Sequence, residues 1–469
     1  MTLKTKKEAT FFHALIPIIV LVASLSLSIL VYEAAPHIPL IFSTIIAAAL
    51  AVYVLGYSWS ELEEGIIDTI KMAMQAVLIL MVIGSIIGTW ILSGTVPTMI
   101  YYGLKILSPG IFLVATAIIC CIVSLATGSS WTTAGTVGIA LLGVGTGLGM
   151  PMGLVAGAIV SGAYFGDKMS PLSDTTNLAP AMAGTTLFEH VRHMIYTTAP
   201  ALLISLVLYA ILGAQYAGKN LDTNQINQIL STISESFTIT PLLLIPPILV
   251  IIIVVLKVPA IPGLIAGTAL GGIFAAIFQG AGIGDIIDAA HYGFTMESGF
   301  QIVDDLLSRG GLDGMMWTVS LILIALAFGG VMEKTGMLHA VGRSILSFAN
   351  NTGSLILATV LTCIAVNLLT GEQYLSLVVP GRMFKDAYVE KGIHPKVLSR
   401  ALEGSGTVTS PLIPWNTCGA FMWTTLGVHP FTYAPYAFLN ILVPIINVIY
   451  GYLGITITPL NEKKAAVVK

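Results

Sequence analysis

The polar stretch at 165–181, FGDKMSPLSDTTNLAPA, contains the residues with the clearest potential for chemistry in this chain. It carries Asp167, Lys168 and Asp174 with a run of Ser, Thr and Asn, although long apolar segments lie close on both sides. Polar and ionisable residues at membrane depth are costly unless they line a site, and irregular backbone there must be satisfied by protein or a wet cavity. The stretch therefore predicts one half of a substrate site.

Three other polar stretches interrupt apolar segments in the same way. They are TGSSWTT at 127–133, TGEQY at 370–374 and EGSGTVTSPLIPWNT at 403–417. Helices that break at mid-membrane expose unpaired carbonyls and amides, and the ends of the half-helices direct partial charges at whatever binds there. We therefore expect these stretches to supply the remaining groups of the site.

The oxygen atoms of these stretches suit a small alkali cation. Hydroxyls and carbonyls are hard ligands, which favour Na+ over soft metals, and the predicted Na+ contacts are Asp174, Ser129 and Thr176. A carboxylate that binds Na+ when ionised can bind H+ instead, and this competition is a sufficient mechanism for exchanging the two cations. The full set of predicted ion-binding and substrate-binding residues is Asp174, Asp167, Thr127, Ser129, Ser130, Ser173, Thr175, Thr176, Asn177, Glu372, Gln373, Ser410, Asn416 and Thr417.

The acidic residues also have plainer interpretations. Asp167 and Lys168 are adjacent and could form a neutralising pair or lie at the membrane surface. Asp174 could be structural, and Glu372 could cap a helix instead of binding a ligand. The histidine nearest to Glu403 in sequence would lie on the opposite face of a continuous helix, so we interpret Glu403 as an interfacial charge.

The basic residues admit two interpretations as well. Arg382 could bind a substrate carboxylate with two hydrogen bonds, but it fits the excess of positive charge in cytoplasmic loops equally well. We interpret His190, Arg192 and His193 as a basic cytoplasmic edge rather than a pH sensor.

The composition is that of a multispanning membrane protein. Of 469 residues, 56% are hydrophobic and 9% are charged, whereas about 25% are charged in an average soluble domain. The mean hydropathy is +0.93. The net charge of −3, without a Lys/Arg-rich patch, predicts no nucleic-acid partner.

Cysteine and histidine usage gives no sign of an enzyme. The four cysteines have no CxxC pair and no histidine at metal spacing, so we interpret them as packing residues: Cys120, Cys121, Cys363 and Cys418. No nucleophile motif competes for the polar stretches. We therefore predict a transporter without a cofactor, in which Na+ and H+ are the coupling ions.

The apolar segments are long enough, or nearly so, to cross a bilayer. The first, at 11–30, follows a lysine-rich N-terminus without a small-residue cleavage site, so we predict a transmembrane helix and not a signal peptide. The further crossing segments are 38–56, 72–92, 151–166, 194–213, 241–256, 261–279, 315–332 and 435–454. Two more, 109–126 and 353–369, run into the polar stretches.

The chain contains an internal duplication. A shift of 243 residues aligns eight identical residues and ends on the Thr-Gly pairs at 127–128 and 370–371. A shift of 240 residues aligns the Ser-Pro-Leu motifs at 170–172 and 410–412. In transporters such a duplication indicates two repeats that flank a central site.

We therefore divide the chain into a first repeat at 1–214, an extracytoplasmic linker at 215–240 and a second repeat at 241–469. The second break keeps Ser-Pro-Leu but lacks the acidic residue that follows it in the first. We expect the cation on the Asp174 side, and we expect Trp415 and Asn416 to shape whatever else is carried.

Loop charge predicts that the two repeats are inverted. Basic residues in short loops mark the cytoplasmic side, and the loop at 382–400 is basic whereas its equivalent at 142–152 has no charge. The segment at 285–313 is acidic, which suits the outside. Both termini then fall on the cytoplasmic side, together with Lys257 and the pair Lys463 and Lys464.

This topology requires two re-entrant hairpins, at 109–142 and 353–381, with their tips at the Thr-Gly pairs. Each repeat then has five transmembrane helices plus one hairpin, and the odd number of crossings produces the inversion. An alternative is that 109–127 crosses fully, since it is long enough at about 1.5 Å per residue. The acidic loop at 61–68 also falls on the inside, against the pattern.

Four strings of this sequence resemble the NhaC family of sodium/proton antiporters: GSSWTTAGTVGIAL, GAYFGDKMSPLSDTTNLAP, TGEQYLSLVVPGRMF and SPLIPWNTCG. Within that family the chain is most similar to the bacterial malate/lactate antiporters. The resemblance covers nearly the whole chain and implies an inner-membrane secondary transporter of the ion-transporter superfamily with inverted repeats and paired hairpins. It implies Na+ and H+ as coupling ions, and Asp167, Asp174, Glu372 and Asn416 as site residues.

The malate/lactate branch would take up malate with protons while it releases lactate with Na+. A plain Na+/H+ antiporter with the same site is the alternative. Only Lys168 and Arg382 offer positive charge nearby, so we expect a dicarboxylate to meet hairpin amides and hydroxyls. The expected partners are the lipid bilayer, a small inorganic cation, a small carboxylate and, by analogy, a second copy in a homodimer.

Overall fold

The secondary structure is helical wherever the structure, a computed structural model, describes the chain: residues 6–32, 34–217, 223–256 and 258–460. These ranges contain isolated bridges but no β-strand. The prediction of an all-α polytopic protein is confirmed. Of the residues that the topology prediction uses, Lys257, Lys463 and Lys464 lie outside the described ranges.

Eight helices in these ranges are long and apolar enough to cross a membrane, or up to ten if each of two sharply bent helix pairs makes one span. The eight are Phe11–Ile29, His37–Leu55, Trp59–Leu92, Pro109–Thr127, Leu187–Tyr216, Ala260–Gln279, Asp313–Lys334 and Thr352–Thr370. The predicted first transmembrane helix is therefore present as a helix of spanning length.

The N-terminal part forms three helices, α1 (Phe11–Ser26), α2 (His37–Leu50) and α3 (Trp59–Leu92). Ser58 caps α3, because its hydroxyl accepts the backbone N–H of Glu61, and the Glu61 carboxylate pairs with Lys6. Residues 61–68, predicted as an acidic loop, therefore form the first turns of α3. That prediction is wrong because the cap starts the helix ahead of the apolar run.

The first repeat continues with seven helices: α4 (Thr95–Ile106), α5 (Pro109–Thr127), α6 (Ser130–Thr133), α7 (Ile139–Gly147), α8 (Met152–Met169), α9 (Asp174–Ala183) and α10 (Leu187–Ala217). A π-helical segment joins α6 to α7, so the two form one continuous arm after the first tip. Helix α5 packs along α8, and α10 packs along α5.

Five helices follow: α11 (Thr223–Ser236), α12 (Ile245–Val255), α13 (Ala260–Phe274), α14 (Ile283–Tyr292) and α15 (Gln301–Leu307). The predicted linker at 215–240 thus contains a helix, α11. Residues 218–222 of that linker lie outside the described ranges. Helix α3 packs against both α13 and α14.

Eight helices complete the chain: α16 (Met316–Lys334), α17 (Met337–Leu346), α18 (Thr352–Thr370), α19 (Leu375–Glu390), α20 (Pro395–Leu402), α21 (Thr417–Leu426), α22 (Pro430–Tyr433) and α23 (Phe438–Leu453). One π-helical turn, Glu403–Thr407, continues α20 toward the second break. Helix α18 packs against α19 and α23.

The order of helices in the first half recurs in the second. Helices α5, α8 and α9 start 243 residues before α18, α20 and α21, respectively. Glycines with left-handed backbone recur at the same interval: Gly128 and Gly371, Gly149 and Gly392, Gly184 and Gly427. The helix bounds therefore repeat with the duplication, whereas the inversion of the halves and the re-entry of the hairpins stay predictions.

The two breaks differ in length by three residues. Helix α8 ends at Met169 and α9 begins at Asp174, while in the second half the break runs from Ser410 to Asn416. Both breaks begin at the Ser-Pro-Leu motif, but the following helix aligns Asn416 with Ser173. The shift of 240 residues therefore holds for the Ser-Pro-Leu motif alone, and extending it to align 413–416 with 173–176 is wrong, because the helices that follow are 243 residues apart.

Candidate functional site

A cavity of about 460 Å³ lies where both predicted hairpin tips meet the first break. Its wall gathers ten predicted site residues: Thr127, Ser129, Ser130, Asp167, Ser173, Asp174, Thr175, Glu372, Gln373 and Thr417. Gln75, Ala76 and Ile79 on α3 and the segment at 258–260 also contribute to the wall. The cavity thus joins both halves of the chain.

The first break is built by residues that satisfy its own backbone. The hydroxyl of Thr176 donates to the carbonyls of Asp167 and Lys168 at 2.9 Å each, which occupies the end of α8. The side-chain amide of Asn177 donates to the carbonyls of Pro171 and Ser173. Neither Thr176 nor Asn177 lines the cavity, and their bonds explain why the chain can stop and restart a helix here.

The tip of each predicted hairpin packs directly on the break of its own half. Gly128 has φ +69°, and a Cβ added there would meet the backbone nitrogen of Ser173 at 2.9 Å. Gly371 has φ +65°, and a Cβ there would meet the carbonyl oxygen of Trp415 at 3.0 Å. Glycine is required at both positions by the backbone conformation and by the close approach.

Asp167 joins the first tip to the first break. Its two carboxylate oxygens accept hydrogen bonds from the hydroxyls of Ser130 and Ser173, both at 2.6 Å, and only 8% of the residue is exposed. Such short bonds to a carboxylate are strong. Asp167 is therefore not at the protein surface, and its carboxylate is held where the cavity wall meets the protein interior.

Asp174 is exposed and lines the same cavity from the first turn of α9. The hydroxyl of Tyr374, on the second tip, lies 3.4 Å from the Asp174 carboxylate. The hydroxyl of Ser129 accepts the backbone N–H of Thr132 at 3.1 Å and so caps α6. Its remaining lone pair and the carboxylate of Asp174 are oxygen donors that a bound cation can use.

The second tip contributes Glu372 and Gln373, both buried. One carboxylate oxygen of Glu372 accepts the backbone N–H of Leu375 at 2.9 Å, so Glu372 caps the start of α19 and lines the cavity. Gln373 accepts a bond from the thiol of Cys418 and donates to the carbonyl of Thr407. Glu372 therefore caps a helix and lines the cavity at the same time, so its two interpretations do not exclude each other.

The second break turns away from the cavity. Asn416 is fully buried, caps α21 through the backbone N–H of Cys418, and donates its amide to the side chain of Asn367 at 3.1 Å. Ser410 donates to the carbonyl of Thr407. Neither lines the cavity, and Trp415 instead packs in a separate apolar cavity beside α1.

Three carboxylates, those of Asp167, Asp174 and Glu372, line the cavity. No Lys or Arg side chain lines it within the described ranges, and Lys257, which precedes Val258 in the wall, falls outside them. Arg382 is exposed and does not line the wall. A cavity with this charge favours a cation.

Glu403 is the residue that sequence reasoning misplaced. It is fully buried and accepts a hydrogen bond from the hydroxyl of Thr175 at 3.0 Å, so its interpretation as an interfacial charge is wrong. The signal that could have found it is its place as the first residue of the polar stretch at 403–417, which the sequence predicts to contribute to the site.

Lys168 and the histidines also differ from expectation. The ammonium of Lys168 makes no ion pair with Asp167; it is buried and lies against Gly404, where an added Cβ would be 3.3 Å away. His190 and His193 are buried while Arg192 is exposed. The basic edge predicted at the cytoplasm is therefore reduced to Arg192.

The helices and the cavity together define a polytopic helical transporter in which helix interruptions supply polar groups to one cavity. The family model of the Na+/H+ antiporter family matches residues 162–455. The chain belongs to this family, and the resemblance to its NhaC members is confirmed.

Three relatives that are named as antiporters match most of the chain. The chain is 43% identical to the Na+/H+ antiporter NhaC of Alkalihalophilus pseudofirmus, over 96% of this chain and 97% of that protein. It is 42% identical to the Na+/H+ antiporter NhaC of Bacillus subtilis, over 89% of this chain and 92% of that protein. It is 40% identical to the malate-2H+/Na+-lactate antiporter of Bacillus subtilis, over 99% of both chains.

Proposed function

We propose that this protein is a secondary antiporter that couples the movement of Na+ to the movement of H+ in the opposite direction. The observation that carries the proposal is the cavity, where three carboxylates and the hydroxyls of two helix interruptions converge. Carboxylate and hydroxyl oxygens are hard ligands that suit Na+. The same carboxylates accept H+ when Na+ leaves.

The Na+ site of this proposal uses Asp174 and Asp167 with the hydroxyl of Ser129. Asp174 is exposed to the cavity, so an arriving cation meets it first, and the buried Asp167 lies deeper. Thr176, predicted as a third contact, gives its hydroxyl hydrogen to backbone carbonyls and does not line the cavity. The third Na+ contact of this proposal is therefore Thr127, at the first tip, which lines the cavity.

The co-substrate of the proposal is a small carboxylate, with malate and H+ entering while lactate and Na+ leave. One relative is named for this exchange. The cavity, at about 460 Å³, is far larger than Na+ needs, and the N-termini of α9 and α21 border it. Helix N-termini favour negative charge, so a carboxylate bound beside Na+ meets favourable dipoles.

Exchange in proteoliposomes tests the co-substrate. Vesicles loaded with lactate are placed in labelled malate under an imposed Na+ gradient, and malate entry is compared with vesicles that lack lactate. We expect lactate loading to accelerate malate entry. Equal rates with and without lactate, together with intact Na+-driven H+ movement, would leave the plain Na+/H+ antiporter as the function.

The plain Na+/H+ antiporter is the second candidate because two relatives, at 43% and 42% identity, carry that name. It uses the same carboxylates and needs no organic anion. The lining supports it as well, since the described wall presents three acids and no Lys or Arg.

The variant Asp174→Asn tests the cation site in either version. We expect loss of Na+-dependent exchange without loss of expression, because Asn keeps the size of Asp and removes the charge. Asp386→Asn, at an exposed position outside the cavity, is the matched control and keeps transport. Full coupled transport by Asp174→Asn would remove Asp174 from the site.

The proposal also includes the arrangement in the membrane. It places two inverted repeats, 1–214 and 241–469, in the bacterial inner membrane as a homodimer, with both termini in the cytoplasm. The four native cysteines are buried, so single cysteines introduced at 142–152 and 382–400 can be labelled from either side with little background. Opposite-side labelling of the two loops is the expected result, and crosslinking checks the dimer.

A further inference from the structure

A row of hydrogen bonds leaves the cavity and reaches a carboxylate that does not line it. Ser173 donates to Asp167 at 2.6 Å, the hydroxyls of Ser173 and Thr175 are 3.1 Å apart, and Thr175 reaches Glu403 at 3.0 Å. The row therefore links an acid of the first half to an acid of the second half through two hydroxyls.

The number of hydrogens in this row bears on the protonation of its two acids. Three contacts join Asp167, Ser173, Thr175 and Glu403, and each needs one hydrogen to be a hydrogen bond. The two hydroxyls supply only two. If both acids are ionised, the two hydroxyl oxygens face each other at 3.1 Å without a hydrogen, so all three contacts are hydrogen bonds only when one acid carries a proton.

Glu403 is the end of the row that is sealed from the cavity. It is fully buried on the π-helical turn after α20, and its second carboxylate oxygen has no hydrogen-bond partner among the described residues. π-Helical turns occur frequently at functional sites. A carboxyl in such a place is easily kept neutral, because a buried charge is costly without a partner.

Lys168 faces this acid from α8. Its ammonium is fully buried without a hydrogen bond in the described structure, and it lies against Gly404, next to Glu403. The charges of Lys168 and Glu403 interact. A lysine so close lets Glu403 also exist in its ionised form, so the acid can gain and lose a proton.

Besides Lys168, the carboxylate of Asp167 acts on Glu403 from across the row. His190 on α10 and Arg400 on α20 lie close to Lys168. Helix α18 contributes the thiol of Cys363. The uncharged groups that interact with Glu403 are Thr175 on α9 and Thr407 on its own turn, while Ser376 on α19 and Asn447 on α23 lie against the neighbouring Gly406 and Gly404.

We infer that Glu403 is a proton-binding site of the transport cycle, connected to the cavity by the hydroxyls of Thr175 and Ser173. The inference rests on the proposed Na+/H+ exchange. Proton release from Glu403 passes its hydrogen to Thr175, the hydrogen of Thr175 to Ser173 and that of Ser173 to Asp167. One H+ moves, the two hydroxyls end unchanged, and Asp167 becomes neutral as Glu403 becomes charged.

This relay couples the two cations. Na+ that arrives at Asp167 favours the ionised form of that carboxylate and displaces the proton of the row through Asp167 into the cavity, so Glu403 stays ionised beside Lys168. When Na+ leaves, a proton from the cavity binds at Asp167 and passes along the two hydroxyls to Glu403. The two ions thus bind alternately at Asp167 without a water molecule between the sites.

Glu403→Gln tests the proton site because glutamine keeps the shape and cannot titrate. Purified protein in proteoliposomes is assayed for Na+-driven H+ movement with a pH dye and for exchange of labelled Na+ against Na+. We expect H+ movement to fall roughly a hundredfold, the scale of a lost proton-transfer group, while Na+/Na+ exchange falls far less. Glu333→Gln, a half-buried acid on α16 outside the row, is the matched control.

The outcomes separate the inference from the proposed function. If the unaltered protein moves no H+ with Na+, the proposed function fails. If it does and Glu403→Gln does so equally well, the proton site is not Glu403. If Glu403→Gln abolishes both H+ movement and Na+/Na+ exchange, variants of Thr175 decide whether the hydroxyl row carries the proton.

Thr175→Val and Thr175→Ser decide that case. Valine keeps the volume of threonine and removes the hydroxyl, whereas serine keeps the hydroxyl. We expect valine to abolish H+ movement and serine to restore it. Thr335→Val controls for the substitution itself, because the buried hydroxyl of Thr335 bonds only to carbonyls of its own helix. Equal H+ movement by the valine and serine variants would overturn the relay.

Discussion

The two helix breaks have the same place in the duplicated fold but opposite chemistry. In the first half, the carboxylate of Asp167 ties the tip at Ser130 to the break at Ser173. In the second half, the amide of Asn416 joins the break to Asn367 near the end of α18, and Asn367 also donates to Thr409. One half is held by an acid with hydroxyls, and the other by neutral amides.

This difference indicates that the first break serves transport and the second break serves stability, which we call the division of labour between the halves. An amide network has all its hydrogens and cannot change charge, so it holds the second break rigid at any pH. A carboxylate network can exchange its proton for a cation. The first break also lies in the cavity wall, whereas Asn416 does not. We therefore expect substitutions in the first half to change transport and equivalent substitutions in the second half to change stability.

Among the substitutions that compare the two halves, Asp167→Asn should have the largest effect, because it makes the first half resemble the second. The loss of a buried carboxylate bonded to two hydroxyls amounts to about 3 kcal/mol, or roughly a hundredfold in Na+-dependent exchange. Labelled Na+ uptake into proteoliposomes measures it, with Asp313→Asn as control. Exchange within threefold of the unaltered protein would mean that this acid is not what distinguishes the halves.

Gly128→Ala and Gly371→Ala compare the two tips. Both place a side chain at positive φ, at a cost of about 1–2 kcal/mol, so both should lower the yield of folded protein. Gly128→Ala also pushes against the backbone of Leu172 and Ser173, and should reduce the exchange rate per folded molecule. Size-exclusion profiles and transport normalised to folded protein separate the effects. Equal normalised rates would argue against a special role for the first tip.

Ser173→Ala and Asn416→Ala compare the residues that precede α9 and α21. Ser173 gives its hydroxyl to Asp167 and makes no side-chain cap, while Asn416 caps its helix. We expect Ser173→Ala to weaken Na+-dependent exchange about tenfold. Asn416→Ala should lower thermal stability by about 1 kcal/mol with little change in the KM for Na+. The reverse pattern in melting and transport assays would contradict the division of labour.

Tyr374→Phe should have the smallest effect. The Tyr374 hydroxyl lies 3.4 Å from Asp174, which is long for a hydrogen bond between oxygens. Asp174 is exposed, so water can replace the hydroxyl, and we expect a change of less than about threefold in the KM for Na+. A larger change would show that the second tip takes part in cation binding through Tyr374.

Local rules predicted much of this molecule. The apolar segments and the polar breaks follow from the cost of burying polar groups in lipid, and the Thr-Gly pairs end α5 and α18 where the sequence predicts the tips. Glycine supplies the left-handed residue that ends a helix, so these positions can be read from sequence. The polarity of residues 61–68 does not predict the start of α3, because Ser58, three residues before Glu61, caps the helix and allows it to begin in a polar segment.

The partners of the buried charges could not be predicted. The sequence by itself determined the helical class, the duplication, the acidic character of the first break and ten of the residues in the cavity wall, because composition and spacing act locally. Only the tertiary structure decided that Lys168 turns from Asp167 to Gly404, and that Thr175 meets Glu403, 228 residues away. Such contacts depend on how the helices of the two halves cross, and the spacing of residues along one helix carries no information about a neighbour from the other half.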